Sequence, residues 1–424
     1  MIPVRFEDIA ALDLGVLDGG GPGTPVAGVK ADSREVGPGD LFVALNTGVR
    51  YVDEARARGA ITLVPTEQEE ALAALALLVR SRSDAQVVAV VGSAGKTTTK
   101  DILGALCAPH ARTIWAEKSL NNEIGLPLTV CRLEPDTQIL VTEMGMRGLG
   151  QIAALCAVAK PGVVVVPHVG PEHLELVGSV ERVAEANAEA IESLPPDGTA
   201  VVPARAGALE PYLLRTDVTL RRFDAHEIET RGGTTRFAVR GDVVELALPF
   251  TQRHLAVNTL AALHAYDVLG LPLDRVAEGV GGIELSPWRG EETDLPGGGV
   301  VINDAYNANP DSMRAALEHL AERAPDRRKI AILGEMAELG VGSRGYHEAV
   351  GALAAELEIE VIGVGEASRA YRPVEWAETS TDLVEVARSR IQAGDAVLVK
   401  ASRAVGLEGI AGEIANFARA WSQS

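Results

Sequence analysis

Val87-Val88-Ala89-Val90-Val91-Gly92-Ser93-Ala94-Gly95-Lys96-Thr97-Thr98-Thr99-Lys100-Asp101-Ile102-Leu103-Gly104-Ala105-Leu106 reads as a buried strand, a glycine loop and the start of a helix. A phosphate site needs that order. Glycines let backbone N–H groups turn inward around the phosphates, and the helix N-terminus adds partial positive charge. Lys96 is placed to reach terminal phosphates, and Thr97 to hold Mg²⁺. Gly92 precedes Gly95 by only three positions, so the loop is shorter than the usual G-x-x-x-x-G-K-[ST]. A surface turn with a stray lysine is the bland alternative, and the flanking strand and helix argue against it. The segment predicts a nucleotide site formed by Gly92, Ser93, Ala94, Gly95, Lys96, Thr97 and Thr98.

Outward from this loop, short β-rich apolar runs alternate with longer Ala/Leu/Glu/Arg stretches, the pattern of βα units and mostly parallel sheets. The class is α/β. Strands are predicted near Val26-Lys30 and Leu41-Leu45, and a helix from Glu67 to Val79 runs into the polar segment Arg80-Ser81-Arg82-Ser83-Asp84. That segment marks a first boundary, and the turn-rich stretch Gly281 to Pro287 marks a second. Three domains are expected: 1–84, a small α/β domain; 85–286, a central domain around the phosphate loop with a mostly parallel sheet; and 287–424, a doubly wound Rossmann-like domain. In the central domain the strand-like Ile139-Thr142 and Val163-Pro167 follow the phosphate loop. Arg221 to Asp242 suggests hairpins at the domain's edge, and His254 to Leu269 a helix. In the last domain strands are predicted at Val300-Asn303, Lys329-Leu333, Glu360-Val364 and Asp395-Val399, each followed by helix-like sequence.

The chain has 424 residues, 47% hydrophobic, enough for several cores. Its 39 Lys plus Arg against 59 Asp plus Glu give a net charge of −20, which argues against a broad phosphate-coating surface for nucleic acid or anionic lipid. Any anion must be held locally. Met1-Ile2-Pro3-Val4-Arg5-Phe6-Glu7-Asp8 has neither a basic nor an apolar leader pattern, and no apolar run approaches a membrane span. Three cysteines, Cys107, Cys131 and Cys156, are an odd count without metal-ligand spacing. A reducing compartment fits, and the cytoplasm is the expected location.

Ile139-Leu140-Val141-Thr142 delivers Glu143 at a strand end, where a carboxylate could ligate the Mg²⁺ of a bound nucleotide. The alternative is a solvated strand-end acid, and the phosphate loop tips the balance. Val163 to Pro167 leads into His168-Val169-Gly170-Pro171-Glu172-His173-Leu174, a polar loop with two histidines suited to metal binding or proton transfer. A loop histidine by itself is more often structural.

These residues, taken with Asn303-Asp304-Ala305-Tyr306-Asn307-Ala308-Asn309-Pro310, resemble the Mur ligases, ATP-dependent amide-forming enzymes of cell-wall precursor synthesis, in the same order and over nearly the whole chain. Asn121-Asn122-Glu123-Ile124-Gly125, Tyr306 to Met313, Gly334 to Gly340 and Val399-Lys400-Ala401-Ser402-Arg403 are similar to the branch that adds D-alanyl-D-alanine to UDP-muramoyl tripeptide. The Asp-Asn-Pro-Arg motif of the diaminopimelate-adding branch does not occur. The resemblance implies an N-terminal domain for the UDP-sugar, a central ATPase, and a C-terminal domain that carries the incoming amine.

It further implies ATP and Mg²⁺ as cofactors, and Asn258, Arg289, Asp304, Tyr306 and Asn309 lining the nucleotide cleft. Ser33, Arg34, Asn121, Asn122, Lys400 and Arg403 are implied on the substrate side. Thr97, Glu143 and His173 would hold metal, with Lys96, Glu143, His173 and Asn187 in catalysis. UDP-N-acetylmuramoyl-tripeptide and D-alanyl-D-alanine would be the partners, with no nucleic acid and no membrane, and the protein a monomer. Bottom-up, Asn309 also reads as a helix N-cap with Pro310 at the first helical position, leading a helix from Asp311 to Leu320.

Two departures stand out. After Leu45, Asn46-Thr47-Gly48-Val49-Arg50-Tyr51-Val52 is shorter than the family's stretch on the uridine side. In addition, Ala186-Asn187-Ala188-Glu189 stands where much of the family has a lysine that becomes a carbamate and holds a second Mg²⁺; no lysine lies between Lys160 and Lys329. Val180, Val183, Asn187, Ile191 and Leu194 share one helical face, so Asn187 points inward and must find polar partners. Its amide oxygen ligates Mg²⁺ directly or through water, or it is a structural buried Asn, or the enzyme is impaired; the first is preferred. Ala94, where the family often has Asn, is a milder departure. The rival readings are another amino-acid ligase of the folylpolyglutamate type, and a nucleotide-binding regulatory protein that has lost turnover.

Overall fold

The apolar run from Val87 forms a fully buried strand because both of its faces are covered, as parallel strands require. In the computed structural model, which describes residues 1–418, it is the strand Gln86–Val90 of a six-stranded sheet. The order is Thr219–Phe223, Thr199–Pro203, Val163–Val165, Gln86–Val90, Ile139–Glu143 and Thr113–Trp115, every pair parallel. The register sets Val90 opposite Glu143, so the strand-end carboxylate emerges beside the loop that starts one residue later. The described chain divides into two compact units: Met1–His168, Glu185–Pro249 and Val257–Glu284 in one, and Val169–Ala184, Phe250–Ala256 and the chain from Leu285 in the other.

The first unit also holds a four-stranded sheet ordered Gly15–Asp18, Ile61–Pro65, Leu41–Val43, Val29–Lys30, in which only the first pair is antiparallel. The helix Gln68–Arg80 follows it, burying Ala71, Leu72, Leu75, Ala76 and Val79. Its polar end is anchored: the Arg80 guanidinium donates to the Ala159 and Ser83 carbonyls at 2.9 and 2.6 Å. The expected hairpins are present as a three-stranded antiparallel sheet, Ile228–Arg231, Thr234–Val239 and Asp242–Leu246. All three thiols are buried, and burial pushes each up to about 12.

The second unit is built on the sheet Glu291–Leu295, Gly299–Asn303, Ala396–Lys400, Lys329–Leu333, Ile359–Val364, Glu375–Ala377. Its first pair is antiparallel and the rest are parallel. Helices Pro310–Arg323 and Ser343–Glu356 pack with one apolar cluster, Ser380–Arg390 and Ile410–Ala418 with another. Asn309 caps the first of these, its side chain accepting the Ser312 N–H at 2.8 Å, with Pro310 in the first turn. The α/β class and the doubly wound C-terminal region agree with the sequence pattern. The two outer strands, Glu291–Leu295 and Glu375–Ala377, are not visible in that pattern, because neither carries an apolar run.

Candidate nucleotide site

Gly92 and Gly95 make the phosphate loop possible for two separate reasons. Both have positive φ, +121° and +80°, where side-chain-bearing residues are strained. Both are also hemmed in: a Cβ would lie 2.5 Å from the His168 carbonyl oxygen at Gly92, and 2.4 Å from Asn258 Oδ1 at Gly95. Asn258, expected near the nucleotide, therefore sits against the loop. The loop is tied from outside, the Ser93 N–H donating to the His168 carbonyl at 2.9 Å and the Val91 N–H to Val165 at 2.9 Å. Gly95 caps the helix Lys96–Cys107, which buries Thr97 and Thr98. The Lys96 ammonium folds back onto the Gly92 carbonyl.

Asn187 is 1% exposed, as the helical face predicts, and its amide oxygen accepts the Gly92 N–H at 2.6 Å. That bond takes one of the two lone pairs of the oxygen expected to meet Mg²⁺ directly or through water, and gives Asn187 the polar partner its inward position demands. The side chain clamps the first residue of the loop.

Glu143 is 1% exposed, and its Oε1 accepts the Asn121 amide N–H at 2.7 Å. Its Oε2 is buried with no hydrogen-bond partner. A buried carboxylate oxygen left so is costly unless a cation meets it, which fits a hard oxygen-seeking metal such as Mg²⁺. Thr97 Oγ1 lies 3.2 Å from Ser119 Oγ. Asn121, assigned by the resemblance to the substrate, here orients the strand-end acid. Asn122 Oδ1 accepts the Gly125 N–H at 2.9 Å and so satisfies one of the orphan amides of the helix Gly125–Val130. Ser33 is buried in its turn, and Arg34 is bonded to Asp32, whose carboxyl it holds at about 2.

In the second unit His173 adopts a left-handed φ of +52°, and its Nδ1 meets the Glu338 carboxylate. The Glu175 N–H donates to the Glu338 carbonyl at 2.9 Å. A carboxylate on Nδ1 holds the ring's orientation and favours the tautomer with its proton on that nitrogen. Sequence reasoning misses this role for Glu338; its only signal there is a second acidic residue within Gly334 to Gly340. Arg289 stacks on the Tyr306 ring at 4.1 Å and Arg403 on Trp288 at 4.4 Å.

The resemblance places Lys400 on the substrate side. In the structure its ammonium, 2% exposed, is committed to its own chain: to Asp304 Oδ2 at 2.6 Å and to the Asn307 carbonyl at 2.9 Å. It thereby steers Asp304, the residue expected at the ribose. His254 lies in the same surroundings; burial, opposed by Asp304 and reinforced by Lys400, pulls its pKa down to about 4.

A strand-loop-helix phosphate site with a buried strand-end acid, and a separate doubly wound unit bearing an Asp-Lys pair, place the chain among α/β proteins of the phosphate-loop class. Residues 90–266 match the Mur ligase middle domain and residues 288–403 the Mur ligase, glutamate ligase domain, and the chain belongs to the Mur ligase family. It is 30% identical to the UDP-N-acetylmuramoyl-tripeptide--D-alanyl-D-alanine ligase of Bacillus subtilis, over 91% of this chain and 93% of that one. Among solved structures, MurF from Acinetobacter baumannii has the same fold, with a TM-score of 0.85 at 24% identity over 98% of this chain and 99% of that one. The MurF ligase of Thermotoga maritima in complex with ADP gives 0.79 at 26% identity over 92% and 98%.

Proposed function

We infer that this chain is an ATP-dependent ligase that joins D-alanyl-D-alanine to UDP-N-acetylmuramoyl-tripeptide in peptidoglycan precursor synthesis. Near full-length similarity to that enzyme, together with an intact phosphate loop, carries the reading. A carboxylate oxygen of the tripeptide attacks the γ-phosphorus of ATP, the bond to the ADP oxygen breaks, and an acyl phosphate results. The free amine of the dipeptide then attacks the acyl carbon, loses a proton, and phosphate leaves.

The first step brings anions together, so the site must supply positive charge. The N–H groups at the start of the helix Lys96–Cys107 face the phosphates, and the Lys96 ammonium exchanges the Gly92 carbonyl for a phosphate oxygen. Thr97 and Glu143 would hold Mg²⁺, which when bound neutralises phosphate charge. His173, oriented by Glu338, is a further proposed metal ligand, through Nε2. Asn258, Arg289, Asp304, Tyr306 and Asn309 are the proposed nucleotide-lining residues; Ser33, Arg34 and Arg403 remain on the substrate side. Functional domains are taken as 1–84, 85–286 and 287–424, and the protein as a cytoplasmic monomer. Among the described residues no helix is long and apolar enough to cross a membrane.

The test is phosphate release from ATP. It should require both UDP-muramoyl tripeptide and D-alanyl-D-alanine, with the pentapeptide product detected by mass. Release with a single amino acid in place of the dipeptide would point to a folylpolyglutamate-type ligase, and no release under any pairing would sink the enzyme reading.

A further inference from the structure

Lys100 sits on the phosphate-loop helix and is 0% exposed, an expensive place for an ammonium. Its three N–H donors have three partners: the Ala116 carbonyl at 2.5 Å, the Lys118 carbonyl at 2.7 Å and Asp101 Oδ1 at 2.8 Å. Asp101 is itself buried and balances the charge. The two carbonyls belong to the segment between the strand Thr113–Trp115 and the helix Gly125–Val130. That segment does not hold its own shape, since Lys118 has a φ of +51°, a conformation that persists only when its surroundings impose it.

Residues just downstream of these carbonyls touch both expected metal ligands. Ser119 Oγ lies 3.2 Å from Thr97 Oγ1, and Asn121 donates to Glu143 at 2.7 Å while its carbonyl accepts the Gly145 N–H at 2.8 Å. The strap Ala116 to Asn121 is thus fixed at one end to the helix that carries Thr97, and at the other to the strand that ends in Glu143. We propose that Lys100 is a positioning residue for the metal centre: its buried ammonium anchors this strap, which in turn holds the Thr97 hydroxyl and the Glu143 carboxylate at their working separation. The inference rests on reading Thr97 and Glu143 as Mg²⁺ ligands. A lysine that merely filled the core would be replaceable by an apolar chain of equal length without effect on metal.

Lys100→Met replaces the stem by an unbranched apolar one, one atom shorter, and removes the tether. In nucleotide-free protein, hydrogen exchange over 116–122 should accelerate relative to the rest of the domain. In calorimetric titration of ADP, the Mg²⁺ concentration at half effect should rise about tenfold, the usual cost of losing an outer partner of a metal ligand, while ADP affinity without Mg²⁺ stays unchanged. If Lys100→Met does not fold, Asn121→Ala cuts the strap at its other end and should raise the Mg²⁺ requirement in the same direction. Unchanged exchange and an unchanged Mg²⁺ requirement in a folded variant would overturn the proposal. If ADP binding to the wild type ignores Mg²⁺, the ligand reading of Thr97 and Glu143 fails, and the exchange result alone still decides the tether.

Discussion

Asn187 stands where the family resemblance implies a lysine that becomes a carbamate. Asn187 accepts the Gly92 N–H at 2.6 Å inside a fully packed helix–loop junction, so its loss leaves a buried donor without a partner. Asn187→Ala should cost about 1–3 kcal/mol of stability, read from urea unfolding, and weaken ADP binding through the loop. Because the position offers no amine to carbamylate, ligase activity should be the same in buffers rigorously stripped of CO₂ and in buffers with added bicarbonate. A sharp drop on stripping would return a carbamate to the mechanism. The inward direction of Asn187 is legible from its place on the face Val183, Ile191 and Leu194, all at most 3% exposed. Its partner is not, since Gly92 lies far away in sequence and no periodicity reports a tertiary hydrogen bond. Lys100 shows the converse: on a helix face otherwise continued by Leu103 and Cys107, it interrupts an apolar pattern, and that interruption is a signal the sequence does carry.

At the scale of elements, the loop between the strand Gln86–Val90 and the helix Lys96–Cys107 is tightly constrained at its two glycines. Gly92→Ala meets both the positive φ and the His168 carbonyl oxygen at 2.5 Å. It should abolish nucleotide binding in a protein whose far-ultraviolet circular dichroism is near native, because the obstacle is backbone and cannot turn aside. Buried parallel strands and long helices are readable because their composition and period are unambiguous, and Asn309-Pro310 announces its helix through local chemistry. The small N-terminal sheet is half visible: Leu41–Val43 and Ile61–Pro65 carry apolar residues, whereas Gly15–Asp18 pairs antiparallel at an edge and alternates weakly. The strand Glu291–Leu295 is acidic along most of its length, and only its pairing with Gly299–Asn303 makes it a strand at all. The site follows the same rule. Residues that act through local motif are legible, and those that act through a distant partner, such as Glu338 on His173, are not.

For the whole molecule, charge and buried imidazoles set the response to solution conditions. The proposed anion site is local, on a helix start, Lys96 and metal, while the net charge is −20. ADP affinity should therefore fall far more on chelation of Mg²⁺ than on a severalfold rise in potassium chloride, measured by the same titration. Burial pulls His254 down to about 4 and also lowers His264 and His347. These rings resist protonation in the folded protein while the unfolded chain takes up protons below the ordinary 6.5, so their stabilising contribution is complete above that value and shrinks as pH falls, for His254 down to about 4. Each such group can contribute a slope of up to about 1.4 kcal/mol per pH unit, and the urea midpoint should drop markedly between neutral pH and pH 5. A midpoint flat across that interval would contradict the buried state of these rings. The acidic outer strand bears on the same interval. A sheet edge is a template on which a second copy can pair, and Glu291 and Asp294 lie along this one. At neutral pH two such edges repel, which keeps neighbouring chains in a crowded solution from zipping together. Near the isoelectric point of about 4.9 the net repulsion between whole chains vanishes just as the fold loosens, and the edge is then guarded by its own carboxylates alone.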